Sequence, residues 1–427
     1  MPVDKPVRLA IIGLGGYAAS HHNAAVKLEA EGVVKLVATC DPAMVSFAKQ
    51  CAELNFEKRG VATFLDYRPM LEAIKGKADC VVIPTPIALH AEMHAACIRA
   101  GLAVYLEKPP TLDPTELERM IRDASTARFE TQVGFNFIIQ SRRRELKARL
   151  LTGEFGALRE VRFLGRWPRA EAYFTRNNWA AGLMTGDGRL LLDSCFANAM
   201  AHFVHNTLFW AGLEGMDHWA EPREARAVLF RAHAIAGADT FFVEASMDRG
   251  VKLRLGLTHA CAGRSVNREE LHCADAVIRF DVNEGGEIVW SDGRRETWKV
   301  DDFDQVRDNV RAYCDYLRGE LMRPATSLTD SRPFVALNAL AYLSSVNIHD
   351  FKACGVDVVR VSGSGDVNYV VATGIEEALD AFLVSGEWPR AWVPEAGQRA
   401  VSVVDEAKLR VVVKALAERP ASMTEAG

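Results

Sequence analysis

From residue 7 to about residue 137, short β-branched runs alternate with helical stretches, and this alternation restricts the fold more than any other feature of the chain. The runs are VRLAIIG (7–13), VVKLVATCD (33–41), VATFLDY (61–67), ADCVVIPTP (78–86), LAVYLEKPP (102–110) and FETQVGFNF (129–137). Parallel strands cannot be joined by a tight hairpin and need a crossover, usually a helix. The alternation therefore predicts an α/β fold that begins with a doubly wound parallel sheet.

The first run leads directly into Gly13-Leu14-Gly15-Gly16-Tyr17-Ala18, a GxGxxA turn that opens a helix. Glycine lets the backbone approach a pyrophosphate closely, and the helix N-terminus favours its charge. Asp41 ends the second run, 28 residues past Gly13, where a carboxylate can accept hydrogen bonds from ribose hydroxyls. An acid at that place repels a 2′-phosphate, so NAD is expected ahead of NADP, which stays possible. The fourth run ends in Thr85-Pro86, with His90 opening the next helix as a further cofactor contact. His90 and His94 share one helix face, but HAEMH lacks the HExxH order, and no metal is expected. The fifth run ends in Glu107-Lys108-Pro109-Pro110 and puts a lysine at the carboxyl edge of the sheet, where open α/β folds bind ligands.

Beyond Asn136 the pattern changes to one helix near 139–152, LREVRFLGRW, a polar loop, an apolar helix, and strand-like runs from about 225 to 300. This predicts an α+β domain on a mostly antiparallel open sheet, closed by helical stretches at 303–319 and 331–347. The expected division is 1–136, 137–397 and a tail at 398–427 that frays or assists assembly. At 427 residues the chain is longer than a single hydrophobic core supports, which agrees with two domains. A net charge of −5, from 51 basic and 56 acidic residues, gives no field suited to nucleic acid or an anionic membrane. Nine cysteines without a CxxC read as reduced thiols. An N-terminus that enters a strand within seven residues, and the absence of a long apolar stretch, lead us to expect a cytoplasmic protein.

Residues 191–209, LLDSCFANAMAHFVHNTLF, set Asp193, Asn198, His202, His205 and Asn206 inside an apolar run. Burying such groups is unfavourable unless each finds a partner. Spacings of four, three and one place Asn198, His202, His205 and Asn206 along one helical stripe, as for a helix lining a cleft or for histidines with internal partners. Just upstream, WPRAEAYFTRNNWAAG (167–182) gathers Trp167, Tyr173, Arg176, Asn177, Asn178 and Trp179. Aromatic faces with amide and guanidinium donors suit a ring that bears several hydroxyls, and equally an ordered polar loop.

GxGxxA after the first strand, TP…H after the fourth, EKP after the fifth and a late polar helix with His occur in that order, and the chain resembles the glucose-fructose oxidoreductase/inositol dehydrogenase/MocA family from about residue 7 to about 350. The resemblance implies a Rossmann domain joined to a sheet-based substrate domain, a nicotinamide cofactor, sugar or polyol substrates, and homodimers or homotetramers formed through the C-terminal sheet. It carries cofactor contacts to Gly13, Gly15, Gly16, Tyr17, Ala18, Asp41, Thr85, Pro86, His90, Glu107 and Lys108. Members usually have D-x-G-x-H on the substrate helix with a Gly ten residues after the His. Gly212 aligns His202 with that histidine and puts Asn198 where the Asp is usual. By this alignment Lys108, His202 and Asn198 are catalytic, and Trp167, Tyr173, Arg176, Asn177, Trp179 and His205 contact substrate. The implied activity is oxidation of a secondary hydroxyl of a sugar, sugar acid or cyclitol with NAD(P). The alternatives are NAD-dependent glycoside cleavage and non-catalytic sugar sensing.

Overall fold

The computed structural model describes residues 5–176, 179–300, 302–363 and 367–418, in two compact units. The first holds the chain up to Thr111, Thr115–Ser141 and Asp302–Arg332; the second holds Leu112–Pro114, Arg142–Asp301 and the chain from Pro333 onward.

Six strands make the sheet of the first unit: β1 (Val7–Ile12), β2 (Val34–Cys40), β3 (Ala62–Phe64), β4 (Cys80–Ile83), β5 (Ala103–Leu106) and β6 (Gln132–Val133). Their order is β3-β2-β1-β4-β5-β6 and every pairing is parallel. Helix α1 (Ala18–Ala30) follows β1, and α2 (His90–Arg99) follows β4. The central strands are buried on both faces and are correspondingly rich in Val, Ile and Leu. The order reverses between β1 and β4, the switch point at which open α/β sheets bind ligands.

The second unit is built on nine strands: β7 (Leu158–Arg166), β8 (Pro222–Arg231), β9 (Thr240–Met247), β10 (Lys252–Thr258), β11 (Val266–Cys273), β12 (Ala276–Asp281), β13 (Gly285–Trp290), β14 (Arg295–Trp298) and β15 (Ile348–Asp350). They lie in the order β14-β13-β12-β11-β7-β10-β9-β8-β15, antiparallel except for β7–β10 and β8–β15. Helices α3 (Ser141–Leu151) and α4 (Ala201–Ala211) belong to this unit. The side-chain alternation of a strand sends Phe163 to Phe203 of α4 and Phe241 to Phe196 and Tyr342 on one face. On the other face Phe230 and Phe242 pack with Phe351, Phe382 and Trp392.

The nine-stranded sheet is open, with β14 and β15 at its edges, and Phe351, Leu379, Phe382, Leu383 and Val393 cover the apolar part of its second face. One expectation changes here. Helix α5 (Gln305–Arg318) belongs to the first unit and does not close the second. Its stripe Val306, Val310, Tyr313, Cys314 and Leu317 is buried, and most of it joins the core of the six-stranded sheet with Leu9, Ile11 and Val82. Tyr313 fixes the register, accepting from the Val104 amide at 3.1 Å and donating to the Glu130 carbonyl at 2.9 Å. The tail is ordered as a helix over Glu406–Ala417. All nine cysteines are free thiols.

Candidate active site

The glycine turn is held from three sides within the first unit. Gly13 has φ +111, a conformation that side chains with a β-carbon rarely adopt, and its amide donates to the Cys40 carbonyl at 2.7 Å. Its own carbonyl faces Nε2 of His22 at 3.0 Å. Burial lowers the His22 pKa to about 4, so the ring is neutral and the Nε2 proton can serve that carbonyl. Asp41 accepts the Leu14 amide on Oδ2 at 2.9 Å and the Ala43 amide on Oδ1 at 2.8 Å. A carboxylate has about four acceptor positions, so room for hydroxyl donors is left. At Gly16, φ +57, an added β-carbon would meet nothing within 4 Å, so the turn opens on space there. Free backbone approach, the N-terminus of α1 and an acid at the end of β2 fit a dinucleotide.

At the carboxyl edge of β5, Glu107 is 4 % exposed; Oε1 meets Nε2 of His21 on α1 at 2.9 Å, and Oε2 accepts the amide of Lys108 at 3.1 Å. The glycine-turn helix and the Lys108 segment are thereby tied to one carboxylate. The Tyr17 and Tyr105 rings flank His21 edge-on at 5.6 and 5.4 Å. Asn136 joins the same group, accepting from the Tyr105 hydroxyl at 3.1 Å and donating to the Tyr17 hydroxyl at 3.2 Å. His90 is 1 % exposed, with Nδ1 3.0 Å from the Pro109 carbonyl and Nε2 2.8 Å from the Thr85 carbonyl. A neutral imidazole donates to only one of these at a time, and burial lowers its pKa. His90 therefore ties the exit of β4 to the segment carrying Lys108, and any influence on a cofactor passes through those loops. His94 is buried against the Thr131 hydroxyl at 2.8 Å, so the two rings of HAEMH have different partners.

The polar run of the second unit does not form one continuous stripe. Ser194 caps a π-helical turn over Cys195–Ala199 by accepting the Ala197 amide at 3.1 Å; the chain breaks at Met200, and α4 starts at Ala201. The π-turn and the break at Met200 put Asn198 and His202 on two successive elements rather than on one helix. Asp193 accepts the Ala181 amide on Oδ2 at 2.6 Å and the Asn198 side-chain amide on Oδ1 at 2.8 Å. A carboxylate thus stands behind the position where the family pattern has one. His202 keeps 9 % of its surface exposed, whereas His205 is fully buried beside Trp219, ring centroids 5.3 Å apart, and so does not line an open surface.

Asn206 answers to a residue that sequence reading missed. Its amide donates at 3.0 Å to Glu269 of β11, which also receives Arg143 at 2.6 and 3.0 Å and the indole of Trp210. One turn along α3, Lys147 is 0 % exposed and donates to the carbonyls of Phe209 and Gly212 at the C-terminus of α4. The Phe209 carbonyl also accepts the Gly212 amide at 3.2 Å, and a cation is favoured at a helix C-terminus. The signal was the i,i+4 pair of cations in SRRRELKARLL, which reads as a solvated face until its partners are known.

The loop that follows β7 is held at Trp167 and Arg169. The Trp167 carbonyl lies 2.7 Å from Nδ1 of His259, and the Arg169 carbonyl 3.3 Å from Nε2 of His233. His233 is fixed in turn by Asp239, 2.7 Å from its Nδ1. Trp167 donates its indole proton to Asn267. Tyr173 lies under two guanidinium groups, Arg169 at 4.7 Å and Arg176 at 3.6 Å from the ring centroid, and Trp179 lies 5.7 Å from Arg176. Asn177 and Asn178 fall outside the described residues. In this unit Glu214, His218 and Asp248 also bring ligand-type atoms within 4.8 Å of one another, but Arg249 already holds Glu214 at 2.6 Å.

Residues 7–135 match the family model described as oxidoreductase family, NAD-binding Rossmann fold, named GFO_IDH_MocA. This N-terminal domain belongs to the Gfo/Idh/MocA oxidoreductases. It is an NAD-binding domain, as the turn and sheet order indicate. Among curated proteins, a dTDP-3,4-didehydro-2,6-dideoxy-alpha-D-glucose 3-reductase of Saccharopolyspora spinosa is 31 % identical over 157 residues, 36 % of this chain and 44 % of that one. An inositol 2-dehydrogenase of Rhizobium meliloti is 30 % identical over 102 residues, 23 % of this chain and 31 % of its own. The chain thus spans less than half the length of the curated relatives it matches. Among solved structures, the WlbA dehydrogenase of Chromobacterium violaceum, in complex with NADH and UDP-GlcNAcA, has a TM-score of 0.63 at 21 % identity, covering 81 % of this chain and 96 % of its own. Myo-inositol 2-dehydrogenase of Lactobacillus plantarum has a TM-score of 0.62 at 22 % identity, covering 80 % and 97 %. At these identities the likeness is one of fold. Among the described residues no helix is long and apolar enough to cross a membrane.

Proposed function

We propose that the chain is an NAD-dependent dehydrogenase acting on a secondary hydroxyl of a sugar, a sugar acid or a cyclitol. The observation that carries this reading is the Glu107 carboxylate, which ties the helix of the glycine turn and the Lys108 amide together at the carboxyl edge of a sheet ordered β3-β2-β1-β4-β5-β6. A dinucleotide-binding turn and a cation are thus placed on the edge that binds ligands in this architecture. NAD, when bound, supplies the hydride acceptor. Asp41 disfavours a cofactor with a 2′-phosphate, which supports NAD over NADP.

In this reading Lys108 holds the reacting oxygen and stabilises its developing negative charge, and His202 receives the hydroxyl proton. Asn198 is a positioning residue whose amide is engaged by Asp193 at 2.8 Å. The names of relatives support the substrate class: one is a reductase of a nucleotide-linked deoxysugar, another a cyclitol dehydrogenase. A homo-oligomer formed through the sheet of the second unit would use its charged part, where Arg268, Glu270, Arg279 and Glu287 pair along β11–β13, because Phe351, Leu379, Phe382, Leu383 and Val393 occupy the apolar part. Reduced, mostly buried thiols agree with a cytoplasmic location.

The test is incubation of the purified protein with NAD and a panel of sugars, sugar acids and cyclitols, following the absorbance of reduced nicotinamide. Net NADH formation supports the dehydrogenase. Release of a free sugar from a glycoside without net NADH would replace it with transient-redox cleavage, and NAD binding without turnover of any member would leave a sensor.

A further inference from the structure

Within the second unit the loop that follows β7 carries more positive charge than its neighbours neutralise. Arg166 pairs with Glu376, and Glu171 is taken by Arg360 at 3.0 Å. Arg169 and Arg176 remain. Among the described residues neither lies within ion-pair distance of a carboxylate, and Nε of Arg169 is buried without an acceptor.

Both guanidinium groups lie over one ring, that of Tyr173, at 4.7 and 3.6 Å, and Arg169 also lies 5.2 Å from Trp167. Stacking uses the flat face of a guanidinium and leaves its N–H edge for an acceptor. Two like charges near one ring repel each other, and an anion between them removes that repulsion. The neighbourhood responds to the surplus: the pKa of His259 is lowered to about 3, mainly by burial, with the charge of Arg169 contributing. His259 and His233 hold the backbone at Trp167 and Arg169, and the nearby Asp239 has its oxygens taken by the His233 ring, the Thr240 hydroxyl and the amides of Ala232 and His233. Arg169 is therefore presented from a fixed backbone.

We infer that Arg169 and Arg176 form an anion-recognition site, and that the substrate is a sugar bearing an anionic oxygen group, a carboxylate or a diphosphate, rather than a neutral polyol. This rests on the proposed sugar-oxidising reading for its substrate family, and it narrows that family by charge. Carboxylate and phosphate share the planar or forked acceptor geometry that a guanidinium edge fits with two parallel hydrogen bonds.

Isothermal titration of the full chain, preloaded with NAD, compares D-glucose and myo-inositol with D-glucuronate and UDP-glucose. The anionic probes are expected to bind at least about 10-fold more tightly than the neutral ones, and Arg176→Ala and Arg169→Ala to weaken them by about 10- to 100-fold each while leaving NAD affinity unchanged. Glucuronate binding lost in the variants assigns the carboxylate, and UDP-glucose binding lost alone assigns the diphosphate. Arg176→Lys separates geometry from charge: it should recover part of the affinity at low salt only. Neutral sugars that bind or reduce NAD as well as the anionic ones, variants that bind the anionic probes unchanged, or no binding of either anionic probe would overturn the inference. Arginine-dependent binding without any NAD reduction would keep the site and remove the dehydrogenase; oxidation of neutral polyols by both arginine variants would do the reverse.

Discussion

Two buried glutamates show how differently the same group is used in the two units. Glu269 is fully buried and receives four donors, two from Arg143 and one each from Asn206 and Trp210. Glu107 is almost as buried but receives two, the His21 ring and the Lys108 amide. A carboxylate accepts about four hydrogen bonds, so Glu269 is saturated and Glu107 has capacity left. Saturation fixes a helix in place, whereas spare capacity beside a glycine turn and a lysine is what a group that meets a ligand requires. The burial figures alone would not separate them.

The comparison is most exposed to failure at Lys108. Its replacement by Ala is expected to lower kcat/KM for the oxidised sugar by about 100- to 10,000-fold while NAD affinity stays within a few-fold; full activity in that variant would detach the Glu107 edge from catalysis. The opposite pattern is expected for Glu269→Ala. Loss of that carboxylate leaves Arg143 buried and unpaired, at a cost of about 3–5 kcal/mol in urea unfolding, and a change below about 1 kcal/mol would show that the helix is anchored elsewhere.

The buried histidines of the first unit give a pH test. His22 and His94 titrate near pH 4 in the folded chain against 6.5 unfolded, both lowered mainly by burial. The unfolded state therefore holds more protons between those values, so the stabilisation is complete above about pH 6.5 and is lost as pH falls towards 4. The full loss is about 3 kcal/mol for each ring, read as falling urea midpoints; His94→Gln should flatten that acid limb, and an unchanged limb would mean that the ring is not buried neutral.

Asn198 and Asp193 sharpen the same theme. Asn198→Asp would set two carboxylates against each other where the amide now donates at 2.8 Å. We expect it to destabilise the protein by about 1–3 kcal/mol at neutral pH, and the exchange Asp193→Asn with Asn198→Asp to restore most of the loss. A single variant that is more active and no less stable would show that the family aspartate is simply missing here. The smallest effect is expected for Glu107→Gln, which keeps an acceptor for His21 and removes the charge: below about 1 kcal/mol in stability and about 10-fold in turnover.

Much of the first unit was readable in advance. GxGxxA, Asp41 and EKP stand at strand ends, where local periodicity already fixes their place, and Glu107 and Lys108 follow β5 at the edge the sequence indicated. Helix α5 was assigned to the wrong partner because an amphipathic stripe shows that a helix is buried without showing against what. The stripe through Asn198, His202, His205 and Asn206 is interrupted after Asn198: a π-turn ends at Ala199 and the helix restarts at Ala201, and neither feature has a compositional signature. Glu269 and Arg143 were missed because 126 residues separate them.

What the sequence determined on its own was whatever depends on neighbours along the chain: the parallel α/β unit, its glycine turn, the lysine at the end of β5 and the aromatic loop. Only the tertiary structure decided which buried polar groups satisfy one another, since hydrogen-bond partners in a packed interior are chosen by distance in space. Asn206 ends on Glu269 and Lys147 on the carbonyls of Phe209 and Gly212 at the end of α4, and no spacing rule written along the chain contains those pairings.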